Sequence, residues 1–200
     1  MEYADSDPTM SVDIVHVAKI VVSGGFGVGK TTFVGSISEV EPLRTEELIT
    51  ETSIGVDDLT GLDGKSTTTV ALDFGRITID ERIVVYLFGT PGQDRFWFMW
   101  EELSRGALGA VVLVDTRRLQ DSFAAIDYFE SRAIPFVVAV NCFEDGYRFS
   151  SAEVGAALDL TPGTPVVLCD ARARQSTKQV LVTLLQLVIT AQHERRNPPT

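Results

Sequence analysis

Residues 24–31 read Gly24-Gly25-Phe26-Gly27-Val28-Gly29-Lys30-Thr31, and residue types at that G-x-x-x-x-G-K-[ST] spacing suit one task, holding phosphate. Glycines let the backbone turn until successive N–H groups point at phosphate oxygens, so Gly25, Gly27, Val28 and Gly29 are expected to cradle them. A helix opening at Lys30 adds the positive end of its dipole. From the first turn Lys30 can reach β- and γ-phosphates, the Thr31 hydroxyl can ligate Mg²⁺, and Thr32 joins the nucleotide-binding set. The motif also has the context it needs, an apolar run before it and a helical pattern after it. The chain is expected to bind a nucleoside triphosphate.

Four segments behind that loop resemble the signature boxes of small GTPases. Thr69-Val70-Ala71-Leu72-Asp73-Phe74 resembles the T-I-G-x-D-F segment of Ras-like proteins. The resemblance makes Thr69 a second metal ligand, with Thr67 and Thr68 as substitutes if the register shifts. Thr90-Pro91-Gly92-Gln93 resembles the D-T-A-G-Q box, in which Gly92 matches the glycine whose amide meets the γ-phosphate. Gln93 matches the catalytic glutamine that orients the attacking water. Gly89 stands where that box carries its Mg²⁺-associated aspartate, so the usual carboxylate is expected to be missing. The cation would then rely on Thr31, Thr69, phosphates and water.

Asn141-Cys142-Phe143-Glu144 resembles the N-K-x-D guanine box, with Asn141 in the asparagine's place and Cys142 in the lysine's. The carboxylate that accepts from guanine N1 and N2 is Glu144 or, one residue later, Asp145. Adenine lacks those paired donors, so a carboxylate there selects guanine. Asp170-Ala171-Arg172 resembles the S-A-K box. By that resemblance the Ala171 amide donates to guanine O6, and Arg172 joins the nucleotide-binding set.

These residues need elements to hold them. Apolar runs at 16–22, 107–114, 136–141 and 164–168 read as strands buried on both faces. Runs 70–79 and 82–88, joined through Asp80 and Glu81, read as an antiparallel hairpin. Helical patterns fill 30–38, 119–132, 151–158 and 176–192; in the last, Val180, Leu184, Leu187 and Val188 share one face. Ser151 is expected to cap its helix with Val154 facing inward. Residues 39–65 are long, charged and weakly periodic, and read as a loop, of the length that is usually functional or mobile. The fold class is therefore α/β, a doubly wound, six-stranded, mostly parallel sheet with one antiparallel strand. Residues 1–13 form a polar lead-in, 14–192 one domain and 193–200 a tail.

The span from about residue 14 to 192 thus resembles a Ras-superfamily small GTPase, which implies strand order 2-3-1-4-5-6. Residues 89–96, the run Val114-Asp115-Thr116-Arg117-Arg118-Leu119 and Asp170-Ala171-Arg172 resemble a narrower group. These are the conservon GTPases of actinobacteria (the CvnD family), distant relatives of the polarity GTPases of the MglA kind. That resemblance implies a cytoplasmic switch, recruited to the membrane by partners. It also implies the partners, a roadblock-type protein, a DUF742 protein and a sensor-kinase-like membrane protein from one operon.

Composition excludes several other classes. A net charge of −11 over 200 residues argues against binding nucleic acid through phosphate neutralisation. No apolar run reaches membrane-spanning length, and the N-terminus lacks the pattern of a secretory signal. Cys142 and Cys169 end apolar runs and read as buried, reduced thiols. In the cluster Phe96, Trp97, Phe98, Met99 and Trp100, a docking surface and a core-facing helix are both open readings. Phe26 occupies a position where Ras-like proteins usually carry glycine, and its ring is expected to crowd an incoming arginine finger and slow hydrolysis. Gly89 and the altered base box keep a second reading open, a scaffold that binds GTP or GDP and barely hydrolyses. A phosphotransferase would need an acceptor pocket and lid that the sequence does not show.

Overall fold

The computed structural model describes residues 16–41, 43–50, 67–92, 97–144, 146 and 148–196. In chain order these form β1 (His16–Gly24), α1 (Lys30–Ile37), β2 (Leu43–Thr50), β3 (Thr67–Asp80) and β4 (Ile83–Gly89). There follow α2 (Trp97–Ser104), β5 (Gly109–Val114), a 3-10 turn (Leu119–Ser122), α3 (Phe123–Ser131) and β6 (Phe136–Asn141). The chain closes with α4 (Ser151–Ala157), β7 (Val166–Cys169) and α5 (Arg174–Arg196).

The strands make one sheet in the order β2-β3-β4-β1-β5-β6-β7. Strands β4, β1, β5, β6 and β7 run parallel, while β3 pairs antiparallel with both of its neighbours. Six of the seven follow the expected order with the expected single reversed strand. The seventh, β2, corrects the reading of 39–65 as loop throughout. Its sequence, LRTEELIT, lacks the apolar run of a central strand, and backbone pairing with β3 along the sheet edge defines it instead. The turn signals at 56–58 and 62–64 lie outside the described residues.

The central strands earn their place by alternation. Ile20 and Val22 face one layer and Val21 the other, as do Val111 and Leu113 against Val112, all fully buried. One layer receives Phe33 and Val34 of α1 and Val180, Leu184 and Val188 of α5. The other receives Trp100 of α2, Ala125, Ile126 and Phe129 of α3, and Val154 of α4. Burying a side chain of the size of Phe33 stabilises the fold by roughly 1.5–3 kcal/mol. Both helix faces expected to point inward do so. Several boundaries differ: α5 runs over Arg174–Arg196 rather than 176–192, the pattern at 119–132 divides into a 3-10 turn and α3, and α4 is capped by Ser150, not Ser151. Ser150 forms a reciprocal capping box with Glu153, which satisfies two backbone N–H groups at once.

This layering delivers the carboxyl ends of β1, β4, β5, β6 and β7 to one edge, where open parallel sheets bind ligands.

Candidate nucleotide site

The turn from β1 into α1 is built by glycines that no other residue could replace cheaply. Gly29, the residue preceding α1, has φ 107°, a left-handed conformation. A Cβ there would also lie 2.7 Å from Asn141 Nδ2. No side chain caps α1, and its first turn carries no acidic residue, which leaves the N–H groups of its first turn to an anion. Lys30 is buried, and its Nζ donates to the carbonyls of Gly24 at 2.9 Å and Gly25 at 2.7 Å. Burial lowers its pKa to about 8, although the nearby Asp73 carboxylate pulls the other way. Gly92 passes directly over this ammonium: a Cβ there would lie 2.5 Å from Nζ and 3.0 Å from Phe26 Cα. Lysine, loop and Gly92 therefore converge as the motif required. Thr32 is exposed beside them, and the Phe26 side chain is 66% exposed.

The next contact corrects an expectation. The Thr31 hydroxyl donates to Asp73 Oδ2 at 2.6 Å, and Asp73 is buried on β3. Asp73 sits directly across the ladder from Gly89, and a Cβ at 89 would lie 2.9 Å from Asp73 Cβ and 3.0 Å from its Oδ2. A carboxylate is thus present where the sequence suggested none, brought in by the neighbouring strand. The segment leading to Gly92 is well anchored. Thr90 N–H donates to the Val22 carbonyl at 2.8 Å, Thr90 Oγ1 to Ser23 Oγ at 3.1 Å, and Trp100 Nε1 to the Pro91 carbonyl at 3.4 Å. Trp100 is buried and packs edge-on against Tyr128, whereas Phe98 is exposed, so the aromatic cluster divides between core and surface. Gln93 and Phe96 lie outside the described residues, as do the side chains of Thr67, Thr68, Thr69 and Trp97. The backbone of Thr69 pairs with Leu48.

The far end of the site is built differently. Asn141 is buried with both ends of its amide engaged: Nδ2 donates to the Val28 carbonyl at 2.9 Å, and Oδ1 accepts from the Ala171 N–H at 3.1 Å. It ties the phosphate loop to the turn between β7 and α5. The Ala171 amide, expected to face a guanine oxygen, donates to Asn141 instead. Arg172 bridges Glu144 Oε1 at 3.1 Å and both oxygens of Asp170 at 3.0 Å. These hydrogen bonds raise the Arg172 pKa, Asp170 contributing most, and lower that of Asp170. The side chains of Arg172 and Glu144 stand largely in solvent, and that of Asp170 is half-buried. Asp145 lies outside the described residues. Cys169 is buried and its thiol is pushed up to about 12 by desolvation, but Cys142 is exposed where the chain leaves β6, so the expectation of two buried thiols fails for one.

Residue type and spacing alone give the run from Val114 to Leu119 no chemical task. It flanks the phosphate loop. Arg118 NH2 donates to the Phe26 carbonyl at 3.0 Å and is held by Asp115 and Asp121, each at 3.7 Å. Burial pushes the Asp115 carboxyl up, yet hydrogen bonds from Arg117 and the charges of Arg117 and Arg118 hold it below its usual value. The signal that could have found this cluster is its position just past the carboxyl end of β5, on the ligand-binding edge.

A glycine-rich loop feeding a helix at this edge, with a buried lysine and a threonine paired to a carboxylate, defines a P-loop nucleotide-binding protein of the α/β class. Residues 22–191 match the family described as "conserved hypothetical ATP binding protein", and the chain belongs to that family. It is 31% identical over 125 residues to an uncharacterized protein of Methanocaldococcus jannaschii, covering 62% of this chain and 68% of that one. It is 28% identical over 141 residues to the GTP-binding protein Rab-3D of Rattus norvegicus, covering 65% and 64%. The chain therefore spans about two thirds of the length of these relatives. In fold it is similar to the G domain of the T. maritima FeoB iron transporter, with a TM-score of 0.59 at 14% identity over 86% of this chain and 99% of that one. Among the described residues, no helix is long and apolar enough to cross a membrane.

Proposed function

We propose that this chain is a guanine-nucleotide switch, which binds GTP, hydrolyses it slowly to GDP and signals the difference through the segments around Thr69 and Gly92. The observation that carries this reading is the convergence of Lys30, Gly92 and the uncapped N-terminus of α1 at one point, with the Thr31–Asp73 pair beside it. Gly25, Gly27, Val28, Gly29, Lys30 and Thr32 hold the phosphates, and the Gly92 amide meets the γ-phosphate. Gln93 orients the attacking water.

A hard divalent cation takes oxygen ligands, and Thr31 suits one because its proton is committed to Asp73, leaving the oxygen lone pairs for a metal. Thr31 and Thr69 would hold Mg²⁺ together with phosphate oxygens. Bound there, the cation neutralises charge developing on the β- and γ-phosphate oxygens.

The base is read by Glu144 or Asp145, with Asn141, Ala171 and Arg172 shaping that end. The family description names ATP and the Rab relative is a GTP-binding protein, so base choice is the sharpest test. Identifying the nucleotide released when purified protein is denatured, then competing GTP against ATP, decides it. GTP should win by roughly tenfold or more, since losing a bidentate contact costs about 1–3 kcal/mol. Retained adenine nucleotide, or equal competition, overturns the guanine assignment.

Slow turnover, on the order of 10⁻⁴ to 10⁻² s⁻¹ without a partner, follows from the position of Phe26 in the loop. Single-turnover assays on Phe26→Gly and Gln93→Ala test it, and a Gln93→Ala protein as fast as wild type removes that glutamine from the mechanism. The resemblance to conservon GTPases supports cytoplasmic roadblock-type, DUF742 and sensor-kinase-like partners, with membrane recruitment through them. The competing reading, a scaffold with little hydrolysis, is favoured by the altered base box, in which Arg172 occupies Glu144.

A further inference from the structure

We infer that Arg118, reaching in from the turn after β5, is a positioning residue for the phosphate loop: it holds the Phe26–Gly27 peptide in the orientation that turns the Gly27 N–H toward bound phosphate. The inference rests on the nucleotide-switch reading and deepens it, since that reading gives Arg118 no task. The turn after β5 touches three consecutive loop residues. A Cβ at Gly25 would lie 2.6 Å from Asp121 Cβ, Arg118 Nη2 donates to the Phe26 carbonyl at 3.0 Å, and a Cβ at Gly27 would lie 3.7 Å from the same Nη2. Gly92 meets the loop from the other flank, because β4 and β5 border β1 on opposite sides.

Arg118 is itself held in place. Its N–H donates to the Asp115 carbonyl at 2.9 Å, and the Asp115 and Asp121 carboxylates each lie 3.7 Å from its guanidinium. Asp115 is buried, and the Nε of Arg117 donates to it at 2.9 Å. The guanidinium therefore grips the loop from a fixed position. The Phe26–Gly27 peptide is trans, so its C=O and N–H point in opposite directions. With the oxygen drawn outward to Arg118, the Gly27 N–H faces the inner side of the loop, where it has no partner among the described residues. Turned N–H groups of this kind make an anion-binding concavity. A peptide next to glycine is also the easiest to turn over, because glycine accepts either sign of φ, and Gly27 sits at φ 71°. Turned over, the same peptide would present its oxygen to phosphate and withdraw a donor. The glycines supply the loop's freedom, and Arg118 removes it at this bond.

The test compares wild type, Arg118→Ala and Arg118→Lys in three readouts. These are affinity for fluorescent (methylanthraniloyl) GDP and ADP, displacement of bound nucleotide by pyrophosphate, and the Gly27 amide resonance of ¹⁵N-labelled protein. Arg118→Ala should weaken nucleotide and pyrophosphate binding by the same factor, roughly tenfold, the size of one charge-assisted hydrogen bond. In wild type, nucleotide should move the Gly27 amide proton downfield, and in Arg118→Ala that shift should shrink. Arg118→Lys keeps a charged donor on a long stem and should recover most of both effects. Arg118→Met keeps the stem and loses the donors, and it carries the test if Arg118→Ala does not fold.

Unaltered affinity in the folded Ala or Met variant, or weaker binding with the wild-type Gly27 shift, overturns the role of Arg118 and leaves the nucleotide reading standing. A loss that spares pyrophosphate, or an Arg118→Lys protein as weak as Arg118→Ala, does the same. Wild type that binds neither nucleotide overturns both.

Discussion

The two ends of the proposed nucleotide site are made by opposite strategies. At the phosphate end Lys30, Asp73 and Thr90 are buried, and short hydrogen bonds cross between β1, α1, β3 and the turn after β4. At the base end Arg172 and Glu144 stand in solvent and pair with each other and with a half-buried Asp170, while Asn141 is buried among the loops. The contrast follows from what each end recognises. Phosphate is recognised by backbone and charge, which must be rigid and shielded from water to be strong. A base edge is recognised by a few polar groups, which can remain mobile in the free protein. An ion pair in solvent contributes little to holding those groups still.

The comparison predicts that substitutions should weaken from the phosphate end to the base end. The largest effect belongs to Lys30→Ala. It removes charge-assisted contacts to the phosphates, each worth about 1.5–3 kcal/mol, and should lower triphosphate affinity by roughly a hundredfold. Calorimetry reads it, and an unchanged affinity refutes the phosphate-loop assignment. Next comes Asn141→Ala, which leaves the Val28 carbonyl and the Ala171 N–H without their partner. The fold should lose about 1–3 kcal/mol, read from urea denaturation at equal m-value. A loss within experimental error would mean that the tie between the two loops is dispensable.

A pH series sharpens the same contrast. Lys30 titrates near 8 in the free protein, against 10.5 in an unfolded chain. Between those values the unfolded state holds more protons, so this group's contribution to stability rises with pH, and its penalty is fully present below 8. Nucleotide binding has the opposite sign. Phosphate draws the proton back, so triphosphate affinity should fall as pH climbs past 8, by up to about tenfold per unit. Titrations at pH 7, 8 and 9, in buffers of differing ionisation enthalpy, should show proton uptake growing above pH 8; a flat profile would place the ammonium outside the phosphate site. The smallest effect is expected for Arg172→Ala. Its side chain and that of Glu144 stand in solvent, so the melting temperature should not change measurably, and base selectivity should shift before stability does. A clear drop in melting temperature would show that the base end is as rigid as the phosphate end.

Much of this arrangement was legible in the residues. The loop from Gly24 to Thr31 specifies its own backbone, since its chemistry and its conformational demands lie within eight consecutive positions. Strands β5 and β6 announce themselves because burial on both faces demands unbroken apolar runs. What escaped were features that depend on a partner distant in the chain. Strand β2 is polar, and only pairing to β3 makes it a strand. Cys142 looked like its neighbours in an apolar run, but the turn leaving β6 carries it to the surface. Asn141 matched a base-reading position, while the approach of Val28 and Ala171 engages both of its ends.

Asp73 and Gly89 mark the boundary most sharply. By itself the sequence determined that a phosphate loop exists, that a doubly wound sheet carries it, and that an aspartate is absent from position 89. Those are local matters, settled by residue type, spacing and burial periodicity. Only the tertiary structure decided that the missing carboxylate is present after all. Residues 73 and 89 are brought opposite each other by the register of an antiparallel ladder, and a one-residue slip would have turned Asp73 to the other face of the sheet.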